Sequence, residues 1–441
     1  MKCFKIFVIA VILVALLMGC ASNNGDNGLE QSGETDRGTT SNNKSDDKVV
    51  VEIFNPKAET KSQMDKLIEQ FEKENENIDI VLTTVGAGQN GMAALAAKFA
   101  SKEEPALFIL PGRAIAVNYI DYLLDISNLE SAKQAIEGTL QGAMIDGVPY
   151  GIPLNIEGFG WMINKEIFKA AGVDPDDVTT YEKFVNAVKT IDSQKEALGL
   201  EAVFGFVGDD GGFASQYSNH FTAPEFDNDL NVAYEATELN WKYGDRMKEY
   251  TDLINQYNVQ PILSLDYSTA VEELFANGKV AILAQGNWIA PTLDSIDPSF
   301  SKEKLGILPF FVDSDTEGYI SAGPSWFWFV NKQKDEQTVA AATKFLDWMY
   351  TSDYGKEQIL KSFKYIPAHK GYDITDIEDP VSREIYQMLE EGKTRVWAFN
   401  QYPDGFYSNM HVELQKYFVG NITWEEFIEV TSKNFAELRQ K

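Results

Sequence analysis

Two groups of side chains in this 441-residue sequence have the types and spacing to do chemistry. One is a set of carboxylates: Glu157, and Asp209 with Asp210 in the Gly-rich string VGDDGGF that follows an apolar run. Paired acids of this kind serve a glycosidase as acid and base. They equally accept hydroxyl hydrogen bonds without reacting, or neutralise a cationic ligand such as a polyamine boxed by aromatic rings. The other group is aromatic: Trp288 beside Asn287 in QGNWIA, Trp326 and Trp328 alternating with Phe327 and Phe329 in SWFWFV, and Phe406 with Tyr407 in YPDGFYSNM. Flat rings next to short planar donors and acceptors fit ligands that present C–H faces and many hydroxyls. The same residues are also core material, and one face of SWFWFV must be buried. Arg113, just after ALFIL, carries a guanidinium able to hold two hydroxyls or a carboxylate bidentately. HExxH, GxSxG and GxxxxGKS/T strings are absent, which weakens the enzyme reading.

Metal chemistry has little to work with. The only cysteines are Cys3 and Cys20, and His220, His369 and His411 lie far apart, so neither a thiolate site nor a multi-histidine centre is expected. Asp227-x-Asp229-x-Asn231 reaches Glu238 in the twelfth position but has Val232 where a calcium loop needs glycine; Asp313-x-Asp315-x-Glu317-Gly318 has the glycine but Pro324 in the twelfth. Both read as solvated acidic loops. No metal and no cofactor is expected. The chain holds 67 acidic against 38 basic residues, a net charge of −29, and that field repels nucleic acid and anionic lipid.

Lys2 and Lys5 precede an apolar run, Ile6 to Met18, of signal-peptide length and too short for an ordinary membrane span. It ends in Leu17-Met18-Gly19-Cys20, which resembles a bacterial lipobox, so residues 1–19 are expected to be removed and Cys20 to be lipidated. That places the protein on a cell membrane, facing outward, as in a Gram-positive bacterium. Residues 21–47 contain one large apolar side chain, Leu29, and read as a flexible tether spanning roughly 25–30 Å.

From Lys48 strand and helix patterns alternate. VVVEIF (49–54) and DIVLTTV (79–85) flank a helix with Met64, Leu67, Ile68 and Phe71 on one face, an opening βαβ unit. A helix near 91–100, the strand ALFIL (106–110) and a helix near 113–124 follow. Thr179 with Glu182, Thr269 with Glu272, and Thr423 with Glu426 fit capping boxes, and Asn277-Gly278 ends a helix at 269–276 before the strand VAIL at 280–283. Length suggests roughly two to three domains, yet no linker divides the body, which points to domains that are discontinuous in sequence. No repeat of solenoid period is visible.

Several stretches together resemble the extracellular solute-binding proteins of ATP-binding-cassette importers, in the carbohydrate group that includes maltodextrin-binding proteins. They are VPYGIPLNIEGFGWMINKEIFKAAGVDP (148–175), TYEKFVNAVKTI (180–191), ELFANGKVAILAQGNWIAPTL (273–293), the stretch from ISAGPSWFWFVN to DYGKEQI (320–359) and GNITWEEFIEVTSKNF (420–435). The resemblance implies an α/β, two-lobe periplasmic-binding-protein-like fold of type II, with lobe 1 from 48–154 plus 320–365 and lobe 2 from 155–319 plus 366–441. Crossovers would fall near Pro153 to Asn155, Ile320 to Gly323 and Tyr365 to Pro367. It implies a monomeric, non-enzymatic protein that holds a sugar in the cleft and passes it to permease subunits. Trp288 would then stack on a sugar ring and Asn287 bind its hydroxyls. Arg113, Asn155, Glu157, Asp209, Asp210, Trp326, Phe406 and Tyr407 would line the cleft. Relatives often place an aspartate near the position of Arg113.

Overall fold

VVVEIFN extends as β1 (Val49–Asn55), with Val51 and Ile53 buried and Val50 and Glu52 exposed between and beside them. The computed structural model describes residues 48–86, 90–208 and 211–440. The leader, Cys20, the tether, Asp209 and Asp210 lie outside the described residues. After β1 come β2 (Ile78–Thr84), β3 (Leu107–Leu110), β4 (Met144–Ile145), β5 (Val148–Pro149), β6 (Gly151–Pro153), β7 (Glu157–Asn164), β8 (Ile282–Gly286), β9 (Leu305–Leu308), β10 (Ile320–Gly323), β11 (Phe327–Val330) and β12 (Thr394–Arg395).

The first sheet runs β2-β1-β3-β11-β6. β1 is parallel to β2 and to β3, while β11 runs antiparallel to β3 and β6. The chain thus leaves β1 toward β2 on one side and returns to β3 on the other. The C-terminal ends of β1 and β3 therefore bound a switch-point crevice, the place where open α/β sheets take ligands. β3 reads LFIL because it is buried on both faces. Leu107 and Ile109 join Met64, Leu67 and Phe71 of the helix Lys61–Glu74, with Phe345 and Leu346 of the helix Glu336–Thr351. Phe108 and Leu110 join Phe54, Phe327 and Phe329 on the opposite face.

The second sheet runs β12-β10-β7-β8, with β9 also on β7. β7 is buried throughout, with Phe159, Trp161 and Ile163 entering one core and Met162 the other. The sheets are joined by crossing segments that hydrogen-bond to one another: Leu154 N to Trp326 O (2.9 Å) and Ile156 N to Ile366 O (2.8 Å). One boundary moves relative to expectation. Ile320–Gly323 pairs with β7 and belongs to the second sheet, so this crossover lies at 324–326 rather than at 320–323.

Local signals differ in detail. The helix expected over 113–124 is a short α-turn, Arg113–Ala116, followed by the 3-10 helix Val117–Tyr122. In that winding residues three apart eclipse, which brings Tyr119 and Tyr122 together onto Phe99, at 4.7 and 4.8 Å between ring centres. Thr423 and Glu426 form the full capping box. Thr180, not Thr179, caps the helix Tyr181–Ser193. Thr269 opens a π-helix, Thr269–Phe275, and donates its N–H to Asp266 (2.7 Å).

Candidate functional site

The loop after β1 is pinned by Asn55. Its Oδ1 accepts Lys57 N (2.9 Å), while its Nδ2 donates to Lys57 O (3.2 Å) and Thr60 Oγ1 (3.1 Å). The Lys57 side chain crosses from this first-sheet loop to β7 of the second sheet, where Nζ meets Glu157 Oε1 at 2.8 Å, and it also pairs with Glu59 at 3.1 Å. Lys57 and Glu157 are both buried. Burial opposes the ammonium charge, but Glu157 and Glu59 outweigh it and hold the Lys57 pKa above the ordinary lysine value. The other Glu157 oxygen accepts the Ser325 hydroxyl from the β10–β11 crossover, and Ser325 O accepts Asn400 Nδ2 (2.9 Å).

Two indoles complete this constellation. Lys57 Nζ lies 5.8 Å from the ring centre of Trp288 and 5.6 Å from that of Trp326, both half-buried. Trp288 follows the end of β8 in the turn Asn287–Ile289. It stacks on Phe159 (6.0 Å, 28°), and its Nε1 donates to Gln285 Oε1 (2.9 Å). The indole folds back over Gly286, where a Cβ would lie 2.2 Å from the ring and 2.5 Å from Gly158 O. Gly286→Ala is therefore expected to push the ring off the strand end and to destabilise the protein by about 1–3 kcal/mol, read by urea unfolding. Wild-type stability in that variant would show that the ring has room to move.

Asn155 is buried, donates to Ile156 O (3.3 Å) and leaves Oδ1 without a protein partner. With Glu59, Asn287 and Trp288 it lines a cavity of about 10 Å³, room for a single water. Asn287 is also buried. Its Oδ1 accepts Gly158 N (3.0 Å) and its Nδ2 donates to Ser382 Oγ (3.1 Å), so the amide fixes the turn that carries Trp288.

Arg113 follows the end of β3 and is buried. Its Nε donates to Gln401 Oε1, Nη1 to Asn231 Oδ1 and Nη2 to Leu230 O, each at 2.9 Å, and the guanidinium lies 4.0 Å from the Tyr234 ring centre. Burial lowers its pKa, against Tyr234, Glu235 and Asp229, which raise it.

The model of the bacterial extracellular solute-binding protein family matches residues 66–382. The chain belongs to that family. An ABC transporter extracellular-binding protein of Pyrococcus horikoshii is 25% identical over 312 residues, 68% of this chain and 69% of that one. A multiple sugar-binding protein of Streptococcus mutans is 23% identical over 270 residues, 58% of this chain and 61% of that one. The fold matches the solute-binding protein RafE solved with raffinose (TM-score 0.73, 17% identity, 88% of this chain and 99% of that one). It also matches a sugar transporter protein of Bacillus licheniformis solved with stachyose (TM-score 0.71, 20% identity, 88% and 100%).

In this solute-binding protein, Glu157, Trp288 and Trp326 meet around Lys57, with Asn155 and Asn287 beside them. Asn287 holds the turn that carries Trp288 through Gly158 and Ser382. Arg113 spends three of its five N–H donors on Gln401, Asn231 and Leu230 and so ties the β3 loop to these distant segments. Phe406 is a correction. It is the first residue of the helix Phe406–Phe418, 1% exposed, with its ring 5.0 Å from Phe435 and 5.8 Å from Tyr402, and it belongs to the core. Tyr407 is half-buried on the same helix. Trp328 is core, donating to Tyr350 OH (3.1 Å). The acidic strings have structural uses: Asp229 caps the helix Leu230–Glu235, Asp313 pairs with Arg395 (2.5 Å) and Asp315 with Arg246. Among the described residues no group of three or more His, Cys, Asp or Glu is placed to hold a metal. Lys57 was missed by sequence reasoning; its one signal is the place of Asn55-Pro56-Lys57 at the C-terminal end of the first parallel strand.

Proposed function

We propose that this solute-binding protein captures a neutral sugar or short oligosaccharide between its two sheet-bearing lobes and delivers it to the permease subunits of an ATP-binding-cassette importer. The observation that carries this reading is the pair of half-buried indoles, Trp288 and Trp326, set around hydrogen-bonding groups at the switch-point crevice. Rings of this kind cover the C–H face of a sugar while charged and amide groups take its hydroxyls. The Streptococcus mutans relative is a multiple sugar-binding protein, and the matched structures hold raffinose and stachyose, which supports the same class. The acids are already paired with Lys57, which speaks against a polyamine ligand, and the homologues are binding proteins rather than hydrolases.

The test is a thermal-shift screen of residues 48–441 against mono- and oligosaccharides and polyamines, since a ligand of the folded form raises the melting temperature by mass action. With the sugar found, Trp288→Ala is expected to weaken binding roughly thirtyfold, about 2 kcal/mol, read by calorimetry at a temperature where the variant, which also loses its packing on Phe159, is still folded. A screen in which no sugar stabilises the protein, or a Trp288→Ala variant that binds as wild type, would overturn the assignment.

No helix among the described residues is long and apolar enough to cross a membrane. The anchor we propose is the lipid on Cys20, with residues 21–47 as its tether. Cys20→Ala is expected to release folded protein into the medium after signal processing; a variant that stays with the membrane would remove the anchor.

A further inference from the structure

The surroundings of the Lys57 ammonium have a composition of their own. Two carboxylates, Glu157 at 2.8 Å and Glu59 at 3.1 Å, and two indoles, Trp288 at 5.8 Å and Trp326 at 5.6 Å, enclose it. Aromatic faces and acids in this combination are what recognises a free ammonium ion, through cation–π attraction and charge-assisted hydrogen bonds. Here the occupant is covalently attached, on a loop that Asn55 and Thr60 hold in place. A second cation entering the crevice meets the Lys57 charge at close range, and the acids that would have neutralised it are taken.

We propose that Lys57 is the built-in occupant of a cation cage, and that it thereby sets the charge specificity of the crevice, closing it to ammonium-bearing solutes and leaving it to neutral ones. This rests on reading the crevice as the ligand site, and it adds a residue whose removal exchanges one ligand class for another.

The test is chemical rescue. Lys57→Ala removes three methylenes and the ammonium and leaves room for n-propylammonium, which matches the excised fragment. At millimolar concentration that probe is expected to raise the melting temperature of Lys57→Ala by about 2–4 °C. Propan-1-ol and sodium chloride at matched concentration should leave it unmoved. Wild type should show no shift with the amine and no calorimetric heat with putrescine. Adding Glu157→Gln to Lys57→Ala should remove most of the rescue. Should Lys57→Ala not fold by itself, its refolding yield with and without n-propylammonium gives the same reading, and Lys57→Ser provides a second background. Equal shifts in wild type and variant, rescue by propan-1-ol as strong as by the amine, or no rescue in either background would overturn the cage. Sugar screening of wild type is a separate arm: rescue by amine in a protein that no sugar stabilises would keep the cage and discard the sugar reading, and the converse result would do the opposite.

Discussion

Glu157→Ala is expected to lose about 3–5 kcal/mol of folding stability, the range found when one partner of a buried ion pair is removed. The loss comes from what stays behind. Lys57 is buried, so its ammonium keeps its desolvation while its closest counter-charge, 2.8 Å away, disappears. Glu59 remains at 3.1 Å, but its side chain is 25% exposed and solvent screens it. The Ser325 hydroxyl loses its acceptor in the same step. Because Lys57 belongs to a first-sheet loop and Glu157 opens β7 of the second sheet, the substitution also cuts a direct tie between the two sheets. Urea unfolding of Glu157→Ala beside Lys57→Met/Glu157→Gln separates a stranded charge from a lost side chain. The double variant leaves no buried charge unpaired and is expected to recover most of the stability. A Glu157→Ala protein within about 1 kcal/mol of wild type, well below the range for a broken buried pair, would mean that water reaches the Lys57 ammonium.

How much of this was legible in the sequence follows from how local each signal is. Met64, Leu67, Ile68 and Phe71 are the buried residues of their helix, because a period of 3.6 places them on one face whatever they pack against. The Thr423–Glu426 box formed because both of its bonds lie within four residues. Other features depend on partners distant in sequence. Asn287 stands next to Trp288 in the chain, and only the pairing of β8 with β7 decides that its amide reaches Gly158 instead of a ligand. Phe406 reads as one half of an aromatic pair, and only the approach of Phe435 from the last helix turns it inward. Lys57 is one among many charges by composition. It becomes informative once the strand order puts the ends of β1 and β3 at a switch point and the crossover brings Glu157 within reach. The resemblance proposes Trp288 as a stacking ring; the glycine that lets the ring lie flat, Gly286, is legible only in three dimensions.

Acidification from pH 7 to pH 5 is expected to lower folding stability by about 2 kcal/mol through His369, with His220 adding to the fall; no ligand role explains either histidine. His220 is buried, stacked on Phe310 at 3.8 Å and 5.6 Å from Phe159, with neither ring nitrogen hydrogen-bonded. Burial, with the nearby Arg395 charge, pushes its pKa well below 6.5. His369 is buried against Tyr350 at 4.1 Å, and burial, then Lys356, pushes its pKa down to about 3. His369 is thus neutral in the native protein throughout this range, and burial favours the neutral ring at His220 as well. The unfolded chain takes up protons as pH falls through about 6.5, so below that value the unfolded state binds more protons and stability drops by about 1.4 kcal/mol per pH unit per histidine. For His369 the decline continues until its native pKa near 3 is reached. Asp379, buried and with its pKa raised chiefly by that burial, acts in the opposite sense, gaining a proton in the native state first. The readout is therefore a comparison of slopes, with urea unfolding at pH 7, 6 and 5 for wild type and for His220→Leu/His369→Leu. The variant should lose most of the pH dependence whatever its absolute stability. If its stability falls as steeply as that of wild type, other groups drive the acid response and the two histidines are not sealed from solvent.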